Sequence, residues 1–141
     1  LDRSLYAPAE GLRRGGYILA EAEGGAPELI LIATGSELSL AVAARERLAQ
    51  QHIRARVVSL PSWELFDEQP LEYREAVLPR EVTRRLAIEA GAPFGWERYA
   101  GCGGVIQGVD RFGASARGEV VMSEYGFTVE NVCLKALELL R

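Results

Sequence analysis

The residues best suited to binding a small ligand are Thr34, Gly35, Ser36 and Glu37, which follow the apolar run Leu29 to Ala33. Backbone N–H groups at the start of a helix attract anions, and a glycine turn brings the chain into position for this. We therefore expect an anion-binding site at Gly35 and Ser36. The alternative is a capped helix start without a ligand. Glu37 favours that alternative, because its carboxylate would compete with a phosphate.

A second group of ionisable residues follows the later apolar runs. Glu89, Glu97 and Asp110 carry carboxylates that are suited to acid–base catalysis. Arg98 and Arg111 stand directly beside two of them, and ion pairs of this kind commonly imitate active sites. We expect these charged residues to hold the loops together rather than to titrate in a reaction.

Large aromatic residues occur in the same loops, at Phe94, Trp96, Tyr99 and Phe112. Aromatic side chains at strand ends either line a pocket or are covered by another domain or subunit. We expect the second arrangement. The predicted structural loop residues are therefore Trp96, Arg98, Asp110 and Arg111.

Few residues are available for nucleophilic or metal chemistry. His52 is the single histidine, and its place between a predicted helix and strand indicates a surface position. Lys135 is the single lysine and lies in the predicted last helix, while Cys102 and Cys133 form no Cys-x-x-Cys pair. The glycine-rich stretch contains neither a dinucleotide fingerprint nor a Walker A motif. The residues themselves therefore predict no catalytic, cofactor-binding or metal-ligating group.

Strands and helices alternate along the chain, which predicts an α/β fold in three layers. The continuous apolar run at 28–33 is typical of a strand covered on both faces, as in a parallel sheet. The predicted strands are 16–23, 28–33, 53–60, 85–90 and 105–109. The predicted helices are one that residues 34–37 open and that runs to about 51, then 63–66, 71–77, a short one near 118–124, and a last helix that begins at 129.

Side chains that cap helices are predicted at three helix starts. Thr34 and Ser36 compete as caps of the first helix, since Thr34 has capping-box spacing to Glu37. Ser62 and Thr128 precede two later helices. The last helix should bury the stripe Val132, Cys133, Ala136, Leu137 and Leu140.

Composition limits the protein to one soluble globular domain. The chain has 141 residues, of which 48% are hydrophobic and 26% charged. No apolar run approaches the length of a membrane helix, and the net charge of −4 gives no basic surface for nucleic acid. The cysteine usage favours a cytoplasmic location. Because the sequence begins at Leu1, we expect a piece of a longer polypeptide, with residues 1–15 a linker or arm and residues 16–141 the domain.

Six segments of the sequence closely resemble the C-terminal domain of transketolase. They are LILIATGSE at 29–37, VVSLPSWELF at 57–66, YREAVLP at 73–79, APFGWERY at 92–99, DRFGAS at 110–115 and GFTVEN at 126–131. They occur in the family's order and at its spacing. The WELF and DRFGAS segments favour transketolase over deoxyxylulose-phosphate synthase and the β-type subunits of ketoacid dehydrogenases, whose equivalent domain is the nearest alternative.

The resemblance implies a mostly parallel five-stranded sheet with one antiparallel edge strand, which we place at Tyr17 to Glu21. It also implies that the parent enzyme is a transferase of the pentose phosphate pathway. Such an enzyme moves a two-carbon ketol unit between sugar phosphates with thiamine diphosphate and Mg²⁺. The implied partners are the preceding transketolase domains and the second subunit of a homodimer.

The resemblance further implies that the chemistry lies outside this chain. The family's Gly-Asp-Gly motif for diphosphate and metal has no match here, and one histidine cannot supply its histidine cluster. We therefore expect a non-catalytic structural and interaction domain that binds no cofactor and is inactive alone. The alternative from another class is a free-standing anion-binding α/β module that uses Gly35 and Ser36.

Overall fold

The computed structural model describes residues 9–35, 37–89, 99, 105–108 and 128–141. The described strands are β1 (Tyr17–Ala20), β2 (Leu29–Ala33), β3 (Ala55–Ser59), β4 (Arg85–Glu89) and β5 (Val105–Gly108). The described helices are α1 (Glu37–Gln50), α2 (Trp63–Asp67), α3 (Leu71–Val77) and α4 (Val129–Leu139), and a 3₁₀ helix, η1 (Ala9–Arg14), precedes β1. The helix predicted near 118–124 lies outside these residues.

The described strands form one sheet in the order β1-β3-β2-β4-β5. The pairs β2–β3, β2–β4 and β4–β5 are parallel, and β1 pairs antiparallel with β3. Tyr17 lies opposite Ser59, and the register shifts between Ile18 and Ala20. The predicted sheet, with its antiparallel edge strand close to Tyr17–Glu21, is thereby confirmed.

The sheet separates two apolar core clusters. Leu29, Leu31 and Ala33 point to the side of α1 and α4, where they pack with Leu48 and Val132. The alternate residues of β2 point to the other side, towards α2 and α3, as part of the cluster Ile30, Ile32, Val58, Phe66 and Val77. All five residues of β2 are fully buried, and each large aliphatic side chain buried in this way contributes about 1.5–3 kcal/mol. The predicted three-layer α/β/α arrangement is confirmed.

Two of the predicted helix caps are present. The Oγ of Ser62 accepts a hydrogen bond from the N–H of Leu65 at 3.3 Å, and the Oγ1 of Thr128 accepts one from the N–H of Asn131 at 3.2 Å. Each satisfies a backbone donor that has no partner within its own helix. Val132, Cys133 and Ala136 are buried on α4, with Leu137 and Leu140 packed against the same core.

The N-terminal segment differs from the predicted irregular arm over residues 9–15. These residues form η1 and a turn that pack on the domain. A β-carbon on Gly11 would lie 2.4 Å from Cγ of Tyr17, and one on Gly15 would lie 2.4 Å from the backbone oxygen of Ser62. Gly15 also has a φ of 78°, which side chains disfavour. The absence of side chains at these two glycines therefore lets the segment pack closely.

A different turn ends α1, and His52 occupies its left-handed position with a φ of 63°. The His52 N–H donates to the oxygen of Ala49 at 2.9 Å, and the Ile53 N–H donates to the oxygen of Leu48 at 3.0 Å. This is the Schellman arrangement, in which glycine usually takes the place of His52. No helix in the described part of the chain is long and apolar enough to cross a membrane.

Candidate functional site

The carboxyl edge of the parallel strands is where α/β sheets usually bind ligands. The chain passes from β2 to β3 on one side and returns to place β4 on the other side of β2. The point where the strand order reverses therefore lies between β2 and β4, whose last paired residues are Ala33 and Ile88. Thr34 and Gly35 follow directly after β2, so the predicted anion-binding turn lies at this point of reversal.

Gly35 makes that turn in the left-handed conformation, with a φ of 60°. The N–H of Glu37 donates to the oxygen of Thr34, and the N–H of Leu38 donates to the oxygen of Gly35, both at 3.3 Å. Two of the first backbone donors of α1 are thus already bonded inside the turn. An anion here would have to compete with these bonds.

The carboxylate of Glu37 also lies against this turn. The residue is only 6% exposed, and its Oε2 is 3.7 Å from the position of a β-carbon on Gly35. Negative charge near a helix N-terminus is stabilising, and it opposes the binding of a second anion at the same place. Ser36 lies outside the described residues, so the anion site at Gly35 and Ser36 stays a prediction.

The predicted structural loop residues also lie outside the described residues. These are Trp96, Arg98, Asp110 and Arg111. The backbone of Glu89 pairs with Gly108 at the ends of β4 and β5, and the loop residues that follow these two lie outside the described part of the chain. The ion pairs predicted for the loops stay a prediction.

A cluster of aromatic rings on the α2–α3 side of the sheet was not predicted as a unit. The Tyr99 ring centroid lies 5.5 Å from that of Trp63 and 6.2 Å from that of Phe66. Phe66 in turn contacts Tyr73 at 6.4 Å, and the Tyr99 hydroxyl is 3.0 Å from Oδ1 of Asp67. Each tilted ring pair adds about 0.5–1.5 kcal/mol beyond the burial of its surface. The cluster connects the chain before β5 to α2.

Arg85 fixes the same region from the amino end of β4. Its guanidinium donates to the backbone oxygens of Val82 (2.9 Å), Tyr99 (2.7 Å), Pro79 (2.8 Å) and Leu78 (3.3 Å). Burial lowers the pKa of Arg85, an effect that the nearby Glu75 carboxylate opposes. Because these carbonyls take up its donors and it lies opposite the carboxyl edge, Arg85 acts as a structural cation.

Arg56 forms the second internal charged link. It is the second residue of β3 and is only 8% exposed. Its Nε and Nη2 donate to the two carboxylate oxygens of Glu21 at 2.8 and 2.9 Å, and its Nη1 donates to the backbone oxygens of Ala76 and Val77, each at 2.9 Å. The side chain therefore ties the end of α3 to the edge of the sheet beside β1.

The remaining candidates for nucleophilic or metal chemistry are poorly placed for it. His52 is exposed, as predicted. Burial, and to a smaller extent the Glu130 carboxylate, raise the pKa of the Cys133 thiol above its usual value, although the charge of Arg47 opposes them. A raised thiol pKa makes a cysteine less reactive. Across residues 9–35, 37–89 and the other described segments, no group of three or more His, Cys, Asp or Glu residues could hold a metal ion.

Comparison with known proteins identifies the family. The sequence matches the transketolase-like TK C-terminal domain model over residues 15–128. It is 56% identical over 131 residues to the transketolase of Geobacillus stearothermophilus, a match that covers 93% of this chain and 20% of that protein. It is 54% identical over 129 residues to transketolase 1 of Escherichia coli strain K12, covering 92% and 19%.

A solved structure agrees with these sequence matches. Transketolase from Leishmania mexicana has a TM-score of 0.83 and 42% sequence identity, over 94% of this chain and 19% of that one. The chain thus spans about a fifth of the length of the relatives it matches. Because the family model covers most of the sequence and the relatives match nearly all of it, the chain belongs to the transketolase C-terminal domain family.

Proposed function

We propose that the chain is the C-terminal domain of an enzyme that transfers a two-carbon ketol unit between sugar phosphates. The observation that carries the proposal is the 56% identity to a transketolase over 93% of the chain, against 20% of that relative's length. The assigned role is that of a structural and interaction domain, with the reacting groups in the remaining four-fifths of the polypeptide. The same family membership supports two further proposals. The parent enzyme is located in the cytoplasm, and its reaction belongs to the pentose phosphate pathway.

The described residues offer no metal site for the Mg²⁺ that accompanies thiamine diphosphate in the family. Mg²⁺ takes oxygen ligands in near-octahedral geometry, and no acidic cluster of the required kind occurs in the described part of the chain. Several carboxylates are already engaged, as Glu21 is with Arg56 and Glu28 with Arg54. We therefore assign the cofactor and the metal to the other domains of the parent enzyme.

The internal links suit a domain that serves as a rigid unit. Arg56 joins β3, the residue after β1 and the end of α3, while Arg85 joins β4 to the residues on either side of it. Both arginines use their hydrogen bonds inside the domain. The proposed partners are the preceding domains and a second subunit in a homodimer, and the proposed substrates of the whole enzyme are sugar phosphates.

The test compares the full-length polypeptide with the chain 1–141. With thiamine diphosphate and Mg²⁺, the full-length protein is expected to transfer ketol units, and the chain 1–141 to show neither turnover nor saturable cofactor binding by calorimetry. The reason is that catalysis requires the cofactor's reactive carbon to be held against the substrate by oriented groups. Micromolar binding to the chain 1–141, or a full-length protein inactive with sugar phosphates, would contradict the proposal.

A further inference from the structure

Two large apolar side chains on α2 and α3 remain exposed to solvent. Leu65 is 41% exposed and Leu71 is 59% exposed, whereas Phe66 and Val77 of the same helices are buried against the sheet. Single exposed leucines are ordinary on protein surfaces. The position of these two is informative because of what lies beside them.

The polypeptide enters the domain across the same two helices. The oxygen of Gly15 accepts a hydrogen bond from the N–H of Ser62 at 3.0 Å, and the oxygen of Gly16 accepts one from the Tyr73 hydroxyl at 2.7 Å. The guanidinium carbon of Arg14 lies 4.5 Å from the centre of the Tyr73 ring. These contacts hold the end of η1 on α2 and α3.

Leu65 directly borders this entering segment. Its Cβ lies 2.7 Å from the position of a β-carbon on Gly15. In the relatives, about four-fifths of the polypeptide lies outside the matched region, and the matched region is the C-terminal domain. The end of η1, through which the polypeptide enters the domain, therefore lies beside Leu65.

Acidic residues surround the two leucines in the sequence. Glu64, Glu68 and Glu72 are all exposed, and none of them forms an ion pair within the described part of the chain. A surface with an apolar centre and a polar, solvent-accessible rim is typical of protein interfaces. The acidic rim requires a partner with basic residues around its own apolar contact.

We propose that Leu65 and Leu71, with Glu64, Glu68 and Glu72, form a docking surface for the domain that precedes η1 in the same polypeptide. We call it the α2–α3 surface. The partner offers an apolar patch bordered by arginine or lysine. The inference rests on the proposed function, because it takes the chain to be the C-terminal domain of a longer enzyme.

The full-length polypeptide tests this by hydroxyl-radical labelling read out by mass spectrometry. Leu134 is the internal control, since it is 57% exposed on α4, on the opposite side of the sheet. For each leucine, the labelling rate in urea-unfolded protein is divided by the rate in native protein. Leu65 and Leu71 are expected to be protected several-fold more than Leu134. Equal protection of the three would overturn the proposal.

Dilution distinguishes the preceding domain from a second copy of the chain. Protection by a domain of the same polypeptide does not change when the protein is diluted, and protection that disappears on dilution would overturn the assigned occupant. The variant Leu71→Glu should increase labelling of Leu65 several-fold, whereas the matched Leu134→Glu should leave it unchanged. Ketol-transfer activity is measured separately, so its absence would contradict the proposed function without altering the labelling pattern.

Discussion

Arg56 illustrates how a charged side chain is accommodated inside this sheet. Its guanidinium has five N–H donors, and carbonyls of Ala76 and Val77 together with the Glu21 carboxylate accept from it. Glu21 stays 51% exposed, so the pair reaches from the interior to solvent. The buried end of Arg56 contributes most to stability, because removing its N–H donors leaves the carbonyls of Ala76 and Val77 without these partners.

The variant Arg56→Ala is expected to lower the free energy of unfolding by about 2–3 kcal/mol, since unpaired buried carbonyls carry most of this cost. Urea unfolding of the chain 1–141 measures it. Arg54→Ala is the matched control, because Arg54 is a half-exposed arginine of the same segment that pairs with Glu28 at 3.4 Å. Its loss should cost less than about 1 kcal/mol. Equal effects of the two variants would contradict the argument.

The Glu21–Arg56 pair also predicts a pH dependence. Partial burial raises the pKa of the Glu21 carboxyl, but the Arg56 hydrogen bond, the Ala22 N–H and the charges of Arg56 and Arg45 lower it to below its usual value. A carboxyl whose pKa is lowered by folding stabilises the fold above its unfolded pKa, about 4.3. This contribution is lost as the pH falls through the folded pKa.

Glu21→Gln should therefore be less stable than the parent at pH 7, and the difference should shrink as the pH falls below about 4. Urea midpoints between pH 7 and pH 3 measure it. Glu68→Gln removes an exposed carboxylate without an ion pair in the described residues, and should have little effect at any pH. A difference for Glu21→Gln that stays constant with pH would show that the ion pair does not carry it.

The left-handed residue His52 gives a third prediction about a single residue. Side chains other than glycine are disfavoured in this conformation by about 1 kcal/mol, so His52→Gly should raise the free energy of unfolding by up to about 1 kcal/mol. Gln50→Gly, two residues earlier in α1, should lower it by a similar amount, because glycine disfavours helix. Thermal unfolding of both variants provides the comparison. A loss of stability in His52→Gly would mean that the imidazole makes a compensating contact.

At the scale of elements, short-range signals control where the helices begin. Thr128 caps α4, and α4 packs on α1 through Val132, Cys133 and Ala136. Because α4 closes one of the two core clusters, the cap influences more than its own first turn. The Ser62 cap influences less of the fold, because α2 has only five residues.

Thr128→Ala is expected to reduce the free energy of unfolding by about 1 kcal/mol, whereas Thr128→Ser, which retains the hydroxyl, should cost only a few tenths. Denaturant unfolding measures both. An equal loss in the two variants would indicate that the methyl group of Thr128, and not its cap, is responsible.

At the scale of the whole molecule, the two core clusters are joined through the same strands. Leu31 faces the α1–α4 side and Ile32 faces the α2–α3 side, one residue further along β2. A loss of packing on one side should therefore weaken both. A chain of this length can bury enough apolar surface to fold alone, and we expect the chain 1–141 to unfold in one cooperative step.

Val132→Ala tests this coupling, because it opens the core only on the α4 side. It should cost about 2 kcal/mol and shift the midpoints of tryptophan fluorescence and far-ultraviolet circular dichroism by the same amount. Leu134→Ala, at an exposed position of the same helix, should change them little. If the fluorescence transition stayed in place while the circular dichroism transition moved, the two sides would be independent.

The sequence alone determined most of the elements and the fold class. The apolar run of β2 and the Ser62 and Thr128 caps each act over a few neighbouring residues, so their consequences are visible without a structure. The resemblance to transketolase then indicated the antiparallel edge strand and the family. Gly35 was also correctly placed in a turn after β2, whereas Ser36, Trp96, Arg98, Asp110 and Arg111 stay predictions because they lie outside the described residues.

Contacts between residues that are distant in the sequence became visible in the three-dimensional structure. Glu21 and Arg56 are brought together because β1 pairs with β3, and Tyr99 contacts Asp67, which lies 32 residues earlier in the sequence. The packing of η1, where an arm was predicted, depends likewise on residues of β1 and α2 that lie far from it in sequence. The physical reason is that periodicity and capping report on local backbone preference, whereas these contacts depend on strand order, which no short segment specifies.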